Sequence, residues 1–189
     1  MLKELLQKSR SFRRFYEEPI SRETLEELVE LTRYVPSTAN SQALKYILSC
    51  TPQENQKVFE CLAWAGALPE WDGPEEGERP SAYIVILCDQ SLGKNKFTDN
   101  GIVAQTMMLG AVEKGLGGCM FGSINRPKLA ENLGIDTEKY SIDLVIALGR
   151  PKEQVVIVDV PESGDIKYYR DENQVHYVPK RALKDLILN

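Results

Sequence analysis

A chain of 189 residues with 42% hydrophobic content can bury one ordinary core, and no break in composition divides it, so 1–189 is expected to form a single domain. The formal net charge is −5, and Lys and Arg are dispersed through an acidic background, which excludes the basic stripe that tracks a nucleic-acid backbone. The longest uncharged apolar run, near Ala82 to Cys88, is far too short to span a bilayer; no membrane partner is expected, and the protein is expected to be soluble and cytoplasmic.

Leu2, Leu5 and Leu6 mark a short first helix that ends before Ser9-Arg10-Ser11-Phe12-Arg13-Arg14. This stretch alternates guanidinium groups and hydroxyls, a composition suited to gripping a phosphate. Pro19-Ile20-Ser21 opens a second helix with Ser21 as N-cap, Ile20 and Leu25 stapled across it, and Leu25, Leu28, Val29 and Thr32 on one face. Pro36 stops that helix, and Pro36-Ser37-Thr38-Ala39-Asn40-Ser41-Gln42 then gathers small polar donors and acceptors in one segment. Taken together, the two stretches suggest a phosphorylated, planar, hydrogen-bonding cofactor.

Lys45 to Cys50 reads as a strand, followed by Thr51-Pro52-Gln53-Glu54, a capping box that should open a helix running through Val58 and Leu62. From Trp64 to Pro80 the chain is rich in Gly, Pro and acids, the composition of a mobile loop. Ala82 to Cys88 has the continuous apolar pattern of a strand buried on both faces. The longest helix should follow, about Thr98 to Lys114, with Ile102, Val103, Thr106, Met107, Gly110 and Ala111 offering a small-residue surface that another helix can approach closely.

Gly115-Leu116-Gly117-Gly118 leads into a short strand that ends in a Gly122-Ser123 turn, and a brief helix should run from Asn125-Arg126-Pro127 to Gly134. Ile142 to Leu148 is a second fully buried strand, Val155 to Val160 is extended, and Leu183, Leu186 and Ile187 should form a last helical face after Pro179-Lys180-Arg181. The order implies an α+β fold, a mixed sheet flanked by helices with the long helix central. No Gly-x-Gly-x-x-Gly or Walker sequence occurs, so a Rossmann or P-loop nucleotide site has little support.

Cys50, Cys61, Cys88 and Cys119 are far apart and form no Cys-x-x-Cys pair; they are read as thiols in a reducing compartment, and no metal site is expected. The single histidine, His176, has no Gly-x-Ser-x-Gly nucleophile to serve, which disfavours a hydrolase triad. Arg170 reads equally as a phosphate contact or one half of a structural ion pair. Trp64 and Trp71, flanking the loop, are either packing anchors or a wall over a ligand.

Four motifs in this order, Ser-Arg-Ser-x-Arg, Pro-Ser-Thr-Ala-Asn-Ser-Gln, Gly-Leu-Gly-Gly-x-x-x-Gly and Pro-Lys-Arg, resemble the FMN-dependent nitroreductase superfamily from Ser9 to Ile187. The resemblance implies a nitroreductase-like fold with the long helix at a dimer interface. It implies that FMN is held by Arg10 and Ser11 at the phosphate end, with Arg13 under the pyrimidine edge, where a fixed guanidinium balances the negative charge that reduction places at N1 and O2. Many relatives have Arg where Ser9 stands, which shifts the phosphate grip towards Lys180 and Arg181. By the same resemblance, Pro36, Ser37, Thr38 and Asn40, with Gln42 close by, reach the flavin of the other subunit, and the Gly122-Ser123 turn offers a backbone N–H to N5.

The activity implied is that of a homodimeric oxidoreductase taking hydride from NAD(P)H through flavin N5 in a ping-pong cycle. A small-molecule electron acceptor, such as a nitroaromatic or quinone, is then reduced, and no side chain is an obligatory acid or base. The other reading is a flavin-binding carrier or sensor without robust turnover.

Overall fold

The computed structural model describes residues 2–92 and 97–188, with Phe97 described by its backbone alone. Its spine is the twelve-residue strand β5 (Tyr140–Pro151). Strand β3 (Ala82–Asp89) pairs along one edge of β5, and β2 (Leu44–Ser49) pairs with the outer edge of β3. Strand β4 (Gly117–Phe121) pairs with Val145 to Gly149 of β5, and the two-residue β1 (Phe15–Tyr16) with Arg150 and Pro151. All these pairings are antiparallel. A smaller sheet, β6 (Val155–Asp159), β8 (His176–Lys180) and β7 (Tyr169–Arg170), pairs β6 with β8 in parallel and β7 with β8 antiparallel, so the helix-flanked sheet is antiparallel and only the smaller one is mixed.

Helices cover both faces of the larger sheet. Every residue of β3 is buried, and its side chains alternate between two cores, as the strand's period of two requires. Ala82, Ile84 and Ile86 pack with Leu25 and Leu28 of α2 (Arg22–Glu30) and with Val103, Met107 and Ala111 of α4 (Phe97–Glu113). Tyr83, Val85 and Leu87 pack on the other face with Val58 of α3 (Pro52–Phe59) and with Leu129 and Ala130 of α5 (Arg126–Leu133). A short α1 (Leu2–Lys8) precedes the first polar motif.

The start signals act as read. Ser21 accepts from the Thr24 amide at 3.2 Å, Thr51 and Glu54 form both halves of the capping box, Asn125 accepts from Lys128, and Gly134 closes α5 in the left-handed region. Helix α2 ends at Glu30, and a 3₁₀ turn over Leu31–Tyr34 carries the chain to Pro36.

Three expectations need correction, and a fourth is met within the chain. Helix α3 ends at Phe59, because Ala63 donates its amide to Ser123 O and Cys61 O accepts from Asn125, a bridge that sets Leu62 opposite Ile124. The close approach offered by α4 is used inside the chain: a Cβ on Gly110 would lie 2.4 Å from Leu31 Cδ1, and Val103, Met107 and Ala111 are buried in the same core, while Ile102 and Thr106 are half-buried on the outer side. The Trp64 to Pro80 segment is irregular but anchored. Trp64 packs 4.7 Å from Phe121 and 5.6 Å from Phe59, Trp71 meets it edge-on, and Glu78 pairs with Arg14 and Lys152. Finally, Leu183, Leu186 and Ile187 form no helical face: one 3₁₀ turn spans Leu183–Asp185 and all three side chains are exposed, since nothing in the chain covers an apolar side that a single turn cannot sustain.

Candidate functional site

The first polar motif is seated on the start of β4. Phe12 donates its amide to Gly118 O at 2.9 Å and Ser11 bridges Gly118, so the motif runs beside the glycine pair. Those glycines are required sterically: a Cβ on Gly117 would lie 2.5 Å from the Phe12 ring, and one on Gly118 would lie 2.3 Å from Ala147 O. Motifs about a hundred residues apart are thereby locked together, and β4 carries the chain on to Gly122 and Ser123 at its far end.

Arg10 is partly buried and gives one Nη2 bond to Leu6 O at 2.5 Å, while its buried Nε has no hydrogen-bond partner among the described residues. Burial lowers the pKa of its guanidinium, and among the described residues no carboxylate pairs with it. A partly buried cation with no carboxylate partner is suited to an anion supplied from outside. It borders a cavity of about 360 Å³ with Phe12, Val112, Gly115 and Val155. Around the Gly122 Cβ position there is no atom within 4 Å, so backbone at that turn is open to a flat ligand.

Arg13 is buried, and the groups that meet its guanidinium are neutral. Its Nη1 lies 3.4 Å from Ser11 O and 3.5 Å from His176 Nε2, and its guanidinium lies over the Tyr168 ring at 4.8 Å from the centroid. Glu153 is close but otherwise engaged: Oε1 accepts the backbone N–H groups of Arg13 and Arg14, and Oε2 accepts from Arg170 at 3.2 Å. Arg170 is thus half of a buried ion pair, with its guanidinium 4.3 Å from the Trp71 ring centroid. Burial, and then the charges of Arg13 and Arg170, hold the His176 ring neutral, its pKa lowered to about 4.

The second polar motif lies elsewhere in the chain. Thr38 gives its amide and hydroxyl to the buried Asp99 in the first turn of α4, which fixes the Thr38–Asn40 turn. Ala39, Asn40 and Gln42 all have positive φ, and the Gln42 amide is bonded to Ser37 Oγ. The side-chain hydroxyl of Ser41 is buried with no partner among the described residues. Pro36, Ser37, Asn40 and Gln42 line a cavity of about 500 Å³ together with Tyr46 and Val103.

The predicted residues therefore fall into separate groups within one chain. Arg10, Ser11 and Arg13 are together at the start of β4, and Gly122 and Ser123 are at its end. Pro36 to Gln42 is at the N-terminal end of α4, whereas Arg10 borders Val112 near its C-terminal end. Thirteen residues of helix, roughly 20 Å, separate the two. Lys180 and Arg181 are exposed and are not brought to Arg10: Val155 beside Arg10 pairs with His176, and Lys180 lies at the other end of β8 opposite Asp159. Sequence reasoning missed Asp99, Tyr168 and Glu153. Nothing in sequence flagged them, because each works through a contact spanning 61 or more positions.

The profile of the Nitroreductase family matches residues 6–150. The chain is 24% identical over 162 residues to an FMN reductase [NAD(P)H] of Bacillus subtilis, an alignment covering 81% of this chain but 57% of that protein, so the chain spans little more than half of that relative's length. It is 27% identical over 153 residues to a protein of Archaeoglobus fulgidus provisionally named NADH dehydrogenase/NAD(P)H nitroreductase, covering 77% of this chain and 82% of that one. Among solved structures, a Desulfovibrio desulfuricans protein provisionally described as a nitroreductase and crystallised with FMN superposes with a TM-score of 0.72 at 20% identity, over 100% of this chain and 95% of the other. A nitroreductase family protein of Clostridium difficile gives 0.68 at 19% identity, over 97% and 95%.

Proposed function

The chain belongs to the nitroreductase family, and on that premise we propose that it is a homodimeric, FMN-dependent NAD(P)H oxidoreductase whose two flavin sites are each built from both subunits. One observation carries the shared site. The basic motif and the Pro36–Gln42 motif stand at opposite ends of α4, roughly 20 Å apart, and a second copy would bring one of each together. A two-fold axis across α4 sets a second copy antiparallel, and the Pro36–Gln42 end of one subunit then meets the Arg10 end of the other. Helix α4 suits that arrangement, because it is apolar on the outer side as well as the inner one, with Ile102 and Leu109 half-buried outside the core.

The residues fit FMN. Arg10, with its idle buried Nε, and Ser11 would hold the phosphate end, and Arg13 would supply positive charge at the pyrimidine edge. Ser37, Thr38, Asn40 and Gln42 of the second copy would bond the polar parts of the ligand, with Ser41 Oγ available beside them. The open turn at Gly122 and Ser123 would leave backbone free to approach the ring. Lys180 and Arg181, exposed at the end of β8, would reach a phosphate only in the assembled dimer. When bound, FMN supplies the hydride chemistry, accepting from NAD(P)H and passing to an electron-poor acceptor such as a nitroaromatic or quinone in a ping-pong cycle. The protein's part is binding, orientation and charge.

Residues 1–189 are read as one domain, because Tyr168, Arg170 and His176 of the C-terminal part bond or pack with Ala67, Glu153 and Arg13. No helix among the described residues is long and apolar enough to cross a membrane, and no disulfide joins the cysteines, which suits the cytoplasm.

The test is the absorption spectrum of purified protein, followed by anaerobic mixing with NADH and with NADPH. A flavin band that bleaches rapidly is expected; a flavin that stays oxidised with both would leave only a binding protein, and colourless protein that gains no thermal stability from FMN would overturn the reading. Subunit sharing is tested by mixing R10A and N40A chains, each deficient in flavin retention. Exchange should restore one intact site per mixed dimer, whereas sites confined to one chain would show no recovery.

A further inference from the structure

We propose that His176 is a positioning residue for Arg13: its neutral ring accepts from the guanidinium and holds it at the flavin site without cancelling its charge. The inference rests on the FMN reading above and goes beyond it in assigning a role to the C-terminal sheet.

A buried arginine is ordinarily matched with a carboxylate. Here a carboxylate stands within reach and is diverted, since Glu153 spends Oε1 on two main-chain N–H groups and Oε2 on Arg170. What remains around the Arg13 guanidinium is a carbonyl, an aromatic face and an imidazole, all neutral. The Cys119 thiol is also near, and burial raises its pKa, so it too carries no charge. Among the described residues no carboxylate bonds the Arg13 guanidinium directly, which leaves its donors available to an anionic group placed against it.

The ring is specified in detail. A guanidinium only donates, so the Nε2 that faces Arg13 Nη1 at 3.5 Å must be the lone-pair nitrogen and Nδ1 must carry the proton. Nδ1 is buried and has no partner among the described residues. Tyr168, 5.2 Å away between ring centroids, packs on the imidazole and also on Arg13, so one aromatic side chain fixes both members of the pair. Arg13 and Arg170 are the charged groups that face the ring, and both oppose its protonation. A carboxylate in place of His176 would neutralise Arg13, and an apolar residue would leave Nη1 without this acceptor.

His176 is the only histidine, so its imidazole resonances need no assignment. In ¹⁵N-labelled protein the ring should be the Nδ1–H tautomer and stay neutral down to a pH of about 4. In R13A, or in R13Q if R13A does not fold, its pKa should move upward. An Nε2–H tautomer, or a titration that ignores Arg13, would overturn the pairing, whether or not the protein binds flavin. With FMN bound, H176F should lower the flavin midpoint potential, H176Q should restore much of it through its amide oxygen, and H176F should add nothing in an R13A background. Equal shifts with and without Arg13 would sink the positioning role. Failure to retain FMN overturns the proposed function and leaves the tautomer measurement to decide the Arg13–His176 pair.

Discussion

Thr38 places its amide at 2.9 Å and its hydroxyl at 2.6 Å from Asp99 Oδ1, so the second polar motif hangs from the first turn of α4. A carboxylate is favoured there by the helix dipole as well as by the bonds it accepts. Removing it in D99A is expected to destabilise the protein by about 2 kcal/mol and to weaken FMN retention by roughly tenfold, because the segment bearing Ser37, Asn40 and Gln42 loses its anchor. Thermal melts and flavin-fluorescence titration check both; unchanged FMN affinity in a folded D99A would separate this motif from the site.

Arg10 carries the other half of the ligand grip. R10A is expected to lower FMN affinity by roughly 10- to 100-fold, the worth of a charge-assisted bond to phosphate, while affinity for riboflavin, which has no phosphate, changes little. Titrating both ligands checks it, and a parallel loss for the two would move Arg10 away from the phosphate.

Stability should depend on acid through Glu78. Hydrogen bonds from Arg14 foremost, one of them 2.6 Å, and from Lys152 hold its carboxyl at about 2, well below its ordinary value. A depressed native pKa stabilises the fold above the unfolded value of 4.5, and that contribution disappears as pH falls towards 2. E78Q is therefore expected to be less stable at neutral pH and to show a shallower decline between pH 4.5 and 2, read by urea denaturation at each pH. Parallel curves for the two proteins would count against the ion pair.

Gly118 cannot take a side chain. The nearest atom to an added Cβ, at 2.3 Å, is the Ala147 carbonyl oxygen, which belongs to the β5 backbone and cannot rotate away. G118A is expected to cost about 3 kcal/mol or more, through strain at the β4–β5 ladder, and to loosen the Phe12 anchor with it. Circular dichroism melts of G118A beside G66A, where an added Cβ meets nothing within 4 Å, give the comparison.

Local chemistry was the legible part of this fold. Caps at Ser21, Thr51 and Asn125, the Gly134 stop and the unbroken apolar run of β3 each depend on neighbours a few residues away. The residues illegible in sequence act at long range. The small face of α4 was legible as a place of close approach, but not that Gly110 is small for the sake of Leu31, a partner that helical periodicity does not identify. The Trp64 to Pro80 segment has a loop's composition, yet Trp64, Trp71 and Glu78 pin it by contacts with residues far from it in sequence. Likewise the motifs for the site were plain, but their distribution over the two ends of α4 was not, since sequence order carries no distance.

Strand β5 begins at Tyr140, and β1, β3 and β4 all take it as a neighbour. During translation, then, Phe15, the whole of β3 and the glycine pair of β4 leave the ribosome before the strand that aligns them. The nascent chain can zip β2 to β3 early, but β1 and β4 find their shared partner only when residues 140–151 have emerged, so the sheet is completed late.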